Sequence, residues 1–278
     1  MSAGPGGHAV KARVAVVQFP GVNCEGESVR ALLRAGLGAE IFLRTRPAAE
    51  LAGFDAYVVP GGFSYQDRVR GGALAAKDPL MDTLAAEAAR GKPVLGICNG
   101  AQVLVEAGLV PDDGTVALAL AANRMSDRSG YYARWVYTRV EPSACVFTRA
   151  IPAGTVLPLP MAHGEGRFTS ATPGRLEALL GAGQVPLRYA TASGGIAIRF
   201  PDNPNGAEAA AAAVCNAAGN VLAVMPHPER AQDLGGVARG IAGPWAERRD
   251  AALERGERDA PGPGMLLFDG LRRHLEEA

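Results

Sequence analysis

The chain predicts an α/β fold with a mainly parallel sheet flanked by helices, on three observations. Short β-branched runs end in Gly or Pro, segments with helical spacing separate those runs, and the two kinds alternate over the first two-thirds of the chain. Such alternation implies right-handed crossovers and a sheet covered on both faces.

Arg13–Phe19 is a β-branched run stopped by Pro20-Gly21, a buried strand and its turn. Glu25 to Ala35 sets Val29, Leu32 and Leu33 at helical spacing, with Gly36 as the stop. Ala39–Leu43 and Phe54–Val59 read as strands, the second closed by Pro60-Gly61-Gly62. Asp78 to Arg90 is helical through Leu80, Met81, Leu84 and Ala88. Val94–Ile97 is a strand, and Gly100 to Ala107 is the next helix. Tyr131–Val140 alternates polar and apolar residues, as a half-exposed antiparallel strand does. Its Tyr131, Tyr132 and Trp135 read as a core cluster. Ile196–Phe200 and Val221–Met225 read as strands, with a turn-rich loop from Pro201 to Gly206. Residues 231–264 are rich in Gly, Arg and Glu with weak periodicity, and read as a loop-rich surface insertion. Met265–Leu275 recovers a helical pattern.

Length and composition narrow the function. With 278 residues, 48% hydrophobic and 20% charged, the chain can bury a core of its own. Lys+Arg 28 against Asp+Glu 28 argues against phosphate backbones or anionic membranes as main partners. No apolar run approaches the roughly 18 residues that span a bilayer. Residues 1–12 read as a flexible leader without a signal-peptide segment, and 13–278 as a single domain. Cys24, Cys98, Cys145 and Cys215 are too few and too scattered for a disulfide scaffold, which points to a reducing compartment, the cytoplasm. Cys145 and Cys215 read as packed thiols.

The stretch Gly96-Ile97-Cys98-Asn99-Gly100 has the spacing of a nucleophile elbow with Cys as the nucleophile. A sharp strand-to-helix turn strains the nucleophile's backbone, and only small neighbours leave room for it. The helix N-terminus behind it favours thiolate. A lone Cys more often fills a core, but the strand, the glycines and the helix reverse that preference here.

A thiol nucleophile needs a base, and there are four histidines. His8 lies in the leader and His274 on the last helix. His163 sits in a turn-rich loop. His227 lies in Met225-Pro226-His227-Pro228-Glu229 after an apolar strand, its backbone restricted by two prolines. Residues two apart in extended chain face one way, so Glu229 can reach the ring, giving a Cys-His-Glu arrangement. Gly61-Gly62 ends another strand, where backbone N–H groups could turn toward a substrate oxygen together with that of Asn99. Nucleotide loops of the GxxxxGK[ST] or GxGxxG kind and metal-ligand spacings are missing, so no metal is expected.

GICNGAQ, the upstream PGGFSY and the downstream MPHPER together resemble the class I glutamine amidotransferase (triad) family. Phe19–Cys24, Gly61–Tyr65, Asn99 with Gln102, His163–Phe168 and Phe268–Leu271 are similar to its branch of glutaminase subunits serving phosphoribosylformylglycinamidine synthase. The resemblance implies a flavodoxin-like sheet. It makes Cys98 the nucleophile on the glutamine amide, His227 the proton carrier and Glu229 its orienting carboxylate. Gly62 and Asn99 would supply oxyanion N–H groups and Gln102 would bind in the glutamine pocket, while His163 would either line that pocket or pack its loop. It implies that ammonia passes to a large synthetase subunit holding ATP, magnesium and formylglycinamide ribonucleotide, with a small bridging subunit alongside. This chain itself would hold no cofactor.

Gln66 stands where that family usually has Gly, and Ala101 replaces a commoner Cys. The segment 231–264, directly after Pro-His-Pro-Glu, would lie against the partner. Two other classes compete: a glutaminase feeding another synthetase, and a Cys hydrolase or peptidase releasing its product to water. A peptidase would carry its His close after the nucleophile. An inactive scaffold is disfavoured by the presence of all three triad residue types.

Overall fold

The computed structural model describes residues 11–111 and 115–278. Most of the expected leader, and His8 with it, lies outside the described residues. The first part alternates as expected: β1 (Arg13–Gln18), α1 (Glu25–Arg34), β2 (Gly38–Leu43), β3 (Ala56–Val59), α2 (Leu80–Ala89), β4 (Val94–Ile97) and α3 (Asn99–Glu106). Next come β5 (Ala119–Ala122), β6 (Tyr132–Val140), β7 (Val156–His163), β8 (Glu165–Thr169), α4 (Arg175–Gly181) and β9 (Leu187–Ala190). The chain closes with β10 (Ala211–Cys215), β11 (Val221–Val224), α5 (Pro244–Glu254) and α6 (Met265–Glu277).

Nine strands form one sheet in the order β2-β1-β3-β4-β11-β10-β9-β6-β7, and β5 pairs with β8 in a separate ribbon. Pairing is parallel from β2 through β11 and antiparallel from there to β7. The parallel half is the flavodoxin-like part. Every residue of β3, β4 and β11 is buried, as their unbroken apolar runs require of strands covered on both faces. The C-terminal ends of β3, β4 and β11 therefore lie side by side. There they deliver Gly61-Gly62, Cys98 and His227, the position where open parallel sheets place their chemistry.

Three expectations are corrected. Ile196–Phe200 is not a strand: after the Thr191–Gly195 turn only Ile196 bridges back, to Ala190, and the chain then peels away with Ile198 exposed. Residues 231–264 are not only loop. They contain α5, and Leu234, Ile241, Trp245 and Ala252 are buried in the main core, with Arg249 also covered. Tyr131 is not core but exposed at 57%, while Tyr132 packs against Phe200 with ring centroids 5.7 Å apart. Among the described residues, no helix is long and apolar enough to cross a membrane.

Candidate active site

Cys98 occupies the turn between β4 and α3 at φ 51°, ψ −105°, a conformation costly for any residue with a side chain. The turn is as tight as the spacing implied. A Cβ on Gly96 would fall 2.6 Å from the Gly100 carbonyl oxygen, and one on Gly100 1.8 Å from that of Val59. Cys98 N–H donates to the Val224 carbonyl at 2.8 Å, fixing the elbow to β11. The Cys98 thiol, 6% exposed, points at the Ala162 carbonyl at 3.6 Å.

His227 follows β11 and is anchored by its backbone N–H on the Pro160 carbonyl at 2.7 Å. Its Nδ1 donates to Glu229 Oε1 at 2.6 Å, and both side chains are buried. Burial works against charge on this ring, but Glu229 and then Cys98 more than offset it, so the His227 pKa lies well above its ordinary value. Nε2 of His227 has no hydrogen-bond partner among the described residues, which leaves it free for a proton in transit. The sequence-predicted Cys98, His227 and Glu229 are thus brought together.

Gly62 sits at φ 145°, where a Cβ would fall 2.7 Å from Asn23 N and Val22 Cα. The loop Pro20–Cys24 clamps this turn. Asn23 and Cys24 N–H both donate to the Gly61 carbonyl, and Phe63 N–H donates to that of Gly21. Neither Gly62 N–H nor Asn99 N–H has a partner among the described residues, as two donors reserved for a substrate oxygen would require. The Asn99 side chain accepts from Ser64 N–H and donates to Asp67 Oδ1 and Gln102 Oε1, tying the 64–67 loop to α3. Gln102 in turn donates to the Glu165 carbonyl at 2.7 Å, so its amide is occupied in holding the wall of the cavity. Gln66 has φ 61°, within a left-handed run that includes Tyr65 and Asp67; glycine would suit this backbone better.

These groups line a cavity of about 370 Å3, the scale of an amino-acid site. Its walls also hold His163, Asp67, Glu165, Tyr131, Arg230 and Cys24. Burial and the nearby Glu165 charge raise the Asp67 pKa. The placing of Tyr131, Asp67, Glu165 and Arg230 in the wall was not foreseen, and Cys24 had no assigned role. Cys24 Sγ receives an Arg230 N–H at 3.0 Å. Cys24, His227 and Glu229 offer ligand atoms within 4.8 Å of one another, the one potential metal cluster among the described residues. The Arg230 guanidinium against the sulfur and the spent His227–Glu229 bond both oppose a cation there. Cys145 and Cys215 are buried in the core, away from the cavity, and His274 lies on α6 beside Arg149.

The chain matches the CobB/CobQ-like glutamine amidotransferase domain family over residues 11–274. It is 43% identical over 272 residues to the phosphoribosylformylglycinamidine synthase subunit PurQ of Methanothrix thermoacetophila, covering 95% of this chain and 98% of that protein. The subunit of the same name from Thermus thermophilus is 45% identical over 221 residues, covering 80% of this chain and 90% of the other. Among solved structures, PurLQS from Thermotoga maritima contains a chain that superposes with a TM-score of 0.65 at 31% identity, covering 88% of this chain and 99% of that one.

Proposed function

Because the chain belongs to the CobB/CobQ-like glutamine amidotransferase domain family, we propose that Cys98, His227 and Glu229 release ammonia from glutamine for a synthetase partner. The chain is the glutaminase subunit of a phosphoribosylformylglycinamidine synthase, a role supported by a relative of that name across 95% of its length and by others across 80%. The observation that carries the chemistry is the buried His227–Glu229 pair at 2.6 Å, sharing a cavity with a cysteine held in a strained elbow.

Cys98 sulfur attacks the side-chain carboxamide carbon of glutamine as His227 takes the thiol proton. The developing oxyanion faces Gly62 and Asn99 N–H. His227, held charged by Glu229, then gives its proton to the departing nitrogen, leaving a γ-glutamyl thioester and ammonia. Water, deprotonated by His227, hydrolyses the thioester to glutamate and restores the thiol. Glu229 holds the ring and stabilises its charge without itself taking the proton.

The partners are a large synthetase subunit and a small bridging subunit, in keeping with the Thermotoga maritima PurLQS assembly. ATP, magnesium and formylglycinamide ribonucleotide belong to the large subunit, which fits the missing nucleotide loops in this chain. Four unpaired cysteines support a cytoplasmic setting. The test is ammonia release from glutamine by the chain alone, and with both partner subunits, ATP, magnesium and formylglycinamide ribonucleotide. Stimulation by the full set is expected. Turnover indifferent to the partners would keep the glutaminase and discard the pathway.

A further inference from the structure

We propose that His163 reads the side-chain carboxamide of the substrate, accepting one of its N–H bonds at Nε2 and so separating glutamine from glutamate. This rests on the glutaminase reading above and adds a residue that decides which of two nearly isosteric amino acids the cavity holds.

The tautomer follows from the neighbours. Asn123 Nδ2 donates to the His163 carbonyl at 2.7 Å and to the Gly130 carbonyl at 3.2 Å. That turns Asn123 Oδ1 toward the ring, 3.0 Å from Nδ1. An amide oxygen only accepts, so Nδ1 carries the proton and Nε2 is left as a lone pair. The ring cannot turn away easily, because it lies flat on Gly166, where a Cβ would fall 2.1 Å from Cε1.

Nε2 is buried and has no hydrogen-bond partner among the described residues, in a side chain 3% exposed. His163 lines the same cavity as Cys98 and His227, and the carbonyl of the preceding residue, Ala162, accepts from the Cys98 thiol. Burial, and then the charge of His227, push the His163 pKa down to about 3, so the lone pair persists across the working range. A buried acceptor without a donor is costly, and here the donor can come from the ligand. Glutamine ends in an NH2 group with two donors. The glutamate carboxylate brings only lone pairs, which the His163 lone pair repels. Sites built around such a bond discriminate strongly, because the wrong ligand leaves a buried group unpaired.

The first test is steady-state glutaminase kinetics in the assembled complex, comparing the parent with His163→Phe. The ratio of the glutamate inhibition constant to the glutamine KM is expected to fall by about tenfold or more, with kcat changed less. Equal movement of both constants would mean that the ring only packs, and would overturn the proposal. A second measurement needs no change at His163: nitrogen NMR of the imidazole in full-length Cys98→Ala protein. The expected spectrum shows an unprotonated Nε2 that moves upfield with glutamine and not with glutamate. A protonated Nε2, or no response to glutamine, would overturn the proposal. Either failure leaves ammonia release by the parent complex intact, whereas absence of that release would instead sink the underlying glutaminase reading.

Discussion

The α-carbon of Gly100 faces the Val59 carbonyl so closely that a β-carbon on it would lie 1.8 Å from the oxygen. The end of β3 and the first turn of α3 are therefore in backbone contact, and that contact leaves the elbow its shape. Gly100→Ala must push them apart. A loss on the order of 3 kcal/mol or more is expected in urea unfolding, with glutaminase activity falling alongside. A variant as stable as the parent would show that the elbow can open without cost.

Cys98→Ala removes the sulfur and leaves the backbone of the elbow able to form. Glutamine-dependent synthesis by the complex should fall at least about a thousandfold, while synthesis supplied with free ammonia persists. Retained glutaminase activity in this variant would overturn the assignment of the nucleophile.

Glu229→Gln keeps the shape of the carboxylate and removes its charge. Burial on His227 is then opposed only by the weaker pull of Cys98 and Cys24, so the ring loses its proton at lower pH than in the parent. His227 acts first as a base, so its titration sets the acid limb of the kcat/KM profile, which should move to lower pH, with kcat reduced about 10^2- to 10^4-fold. An unmoved acid limb would separate Glu229 from the charge on His227.

These residues were legible in the sequence because their signals are local. The elbow fits in five positions and the base and its orienter are two apart. Cys24, Asp67, Tyr131 and Arg230 reach the cavity from four separate segments, and no spacing announces such a meeting. The same limit governed the fold. β10 is a buried run, Ala211-Ala212-Ala213-Val214-Cys215, without alternation and rich in the best helix former. β7 contains Pro158 and Pro160, which argue against a strand, and it survives because it lies at the sheet edge. Ile196–Phe200 has the right residues, but turn geometry limits its pairing to one bridge.

His163 also marks the fold's response to acid. Its folded pKa of about 3 lies below the ordinary imidazole value of 6.5, so below pH 6.5 the unfolded chain binds a proton that the folded chain refuses. This part of the stability is full above 6.5 and is lost as pH falls toward 3, by an amount on the order of 5 kcal/mol. His227 acts in the other window. Its raised pKa stabilises the fold below 6.5, and that contribution fades as pH climbs through the folded value. Urea unfolding at pH 7 and at pH 4 should therefore show a smaller acid loss for His163→Phe than for the parent. Equal losses would mean that the ring titrates as freely when folded as when unfolded.

Trp245 decides what residues 231–264 are for. Its indole N–H donates to the Val156 carbonyl at 2.9 Å, on the outer strand of the sheet, and Ala242 N–H donates to the Tyr137 hydroxyl at 2.7 Å. The segment thus covers the β7 edge, whose free carbonyls would otherwise invite another strand, and it adds Ile241 and Ala252 to the core. Trp245→Ala should cost about 3–5 kcal/mol, whereas Trp245→Phe, which keeps most of the apolar area but loses one hydrogen bond and part of the ring, should cost about 1–2 kcal/mol. If the segment served only to touch a partner, neither change would move the unfolding midpoint of the isolated chain, and both would weaken assembly. A normal midpoint in Trp245→Ala would return the segment to that role.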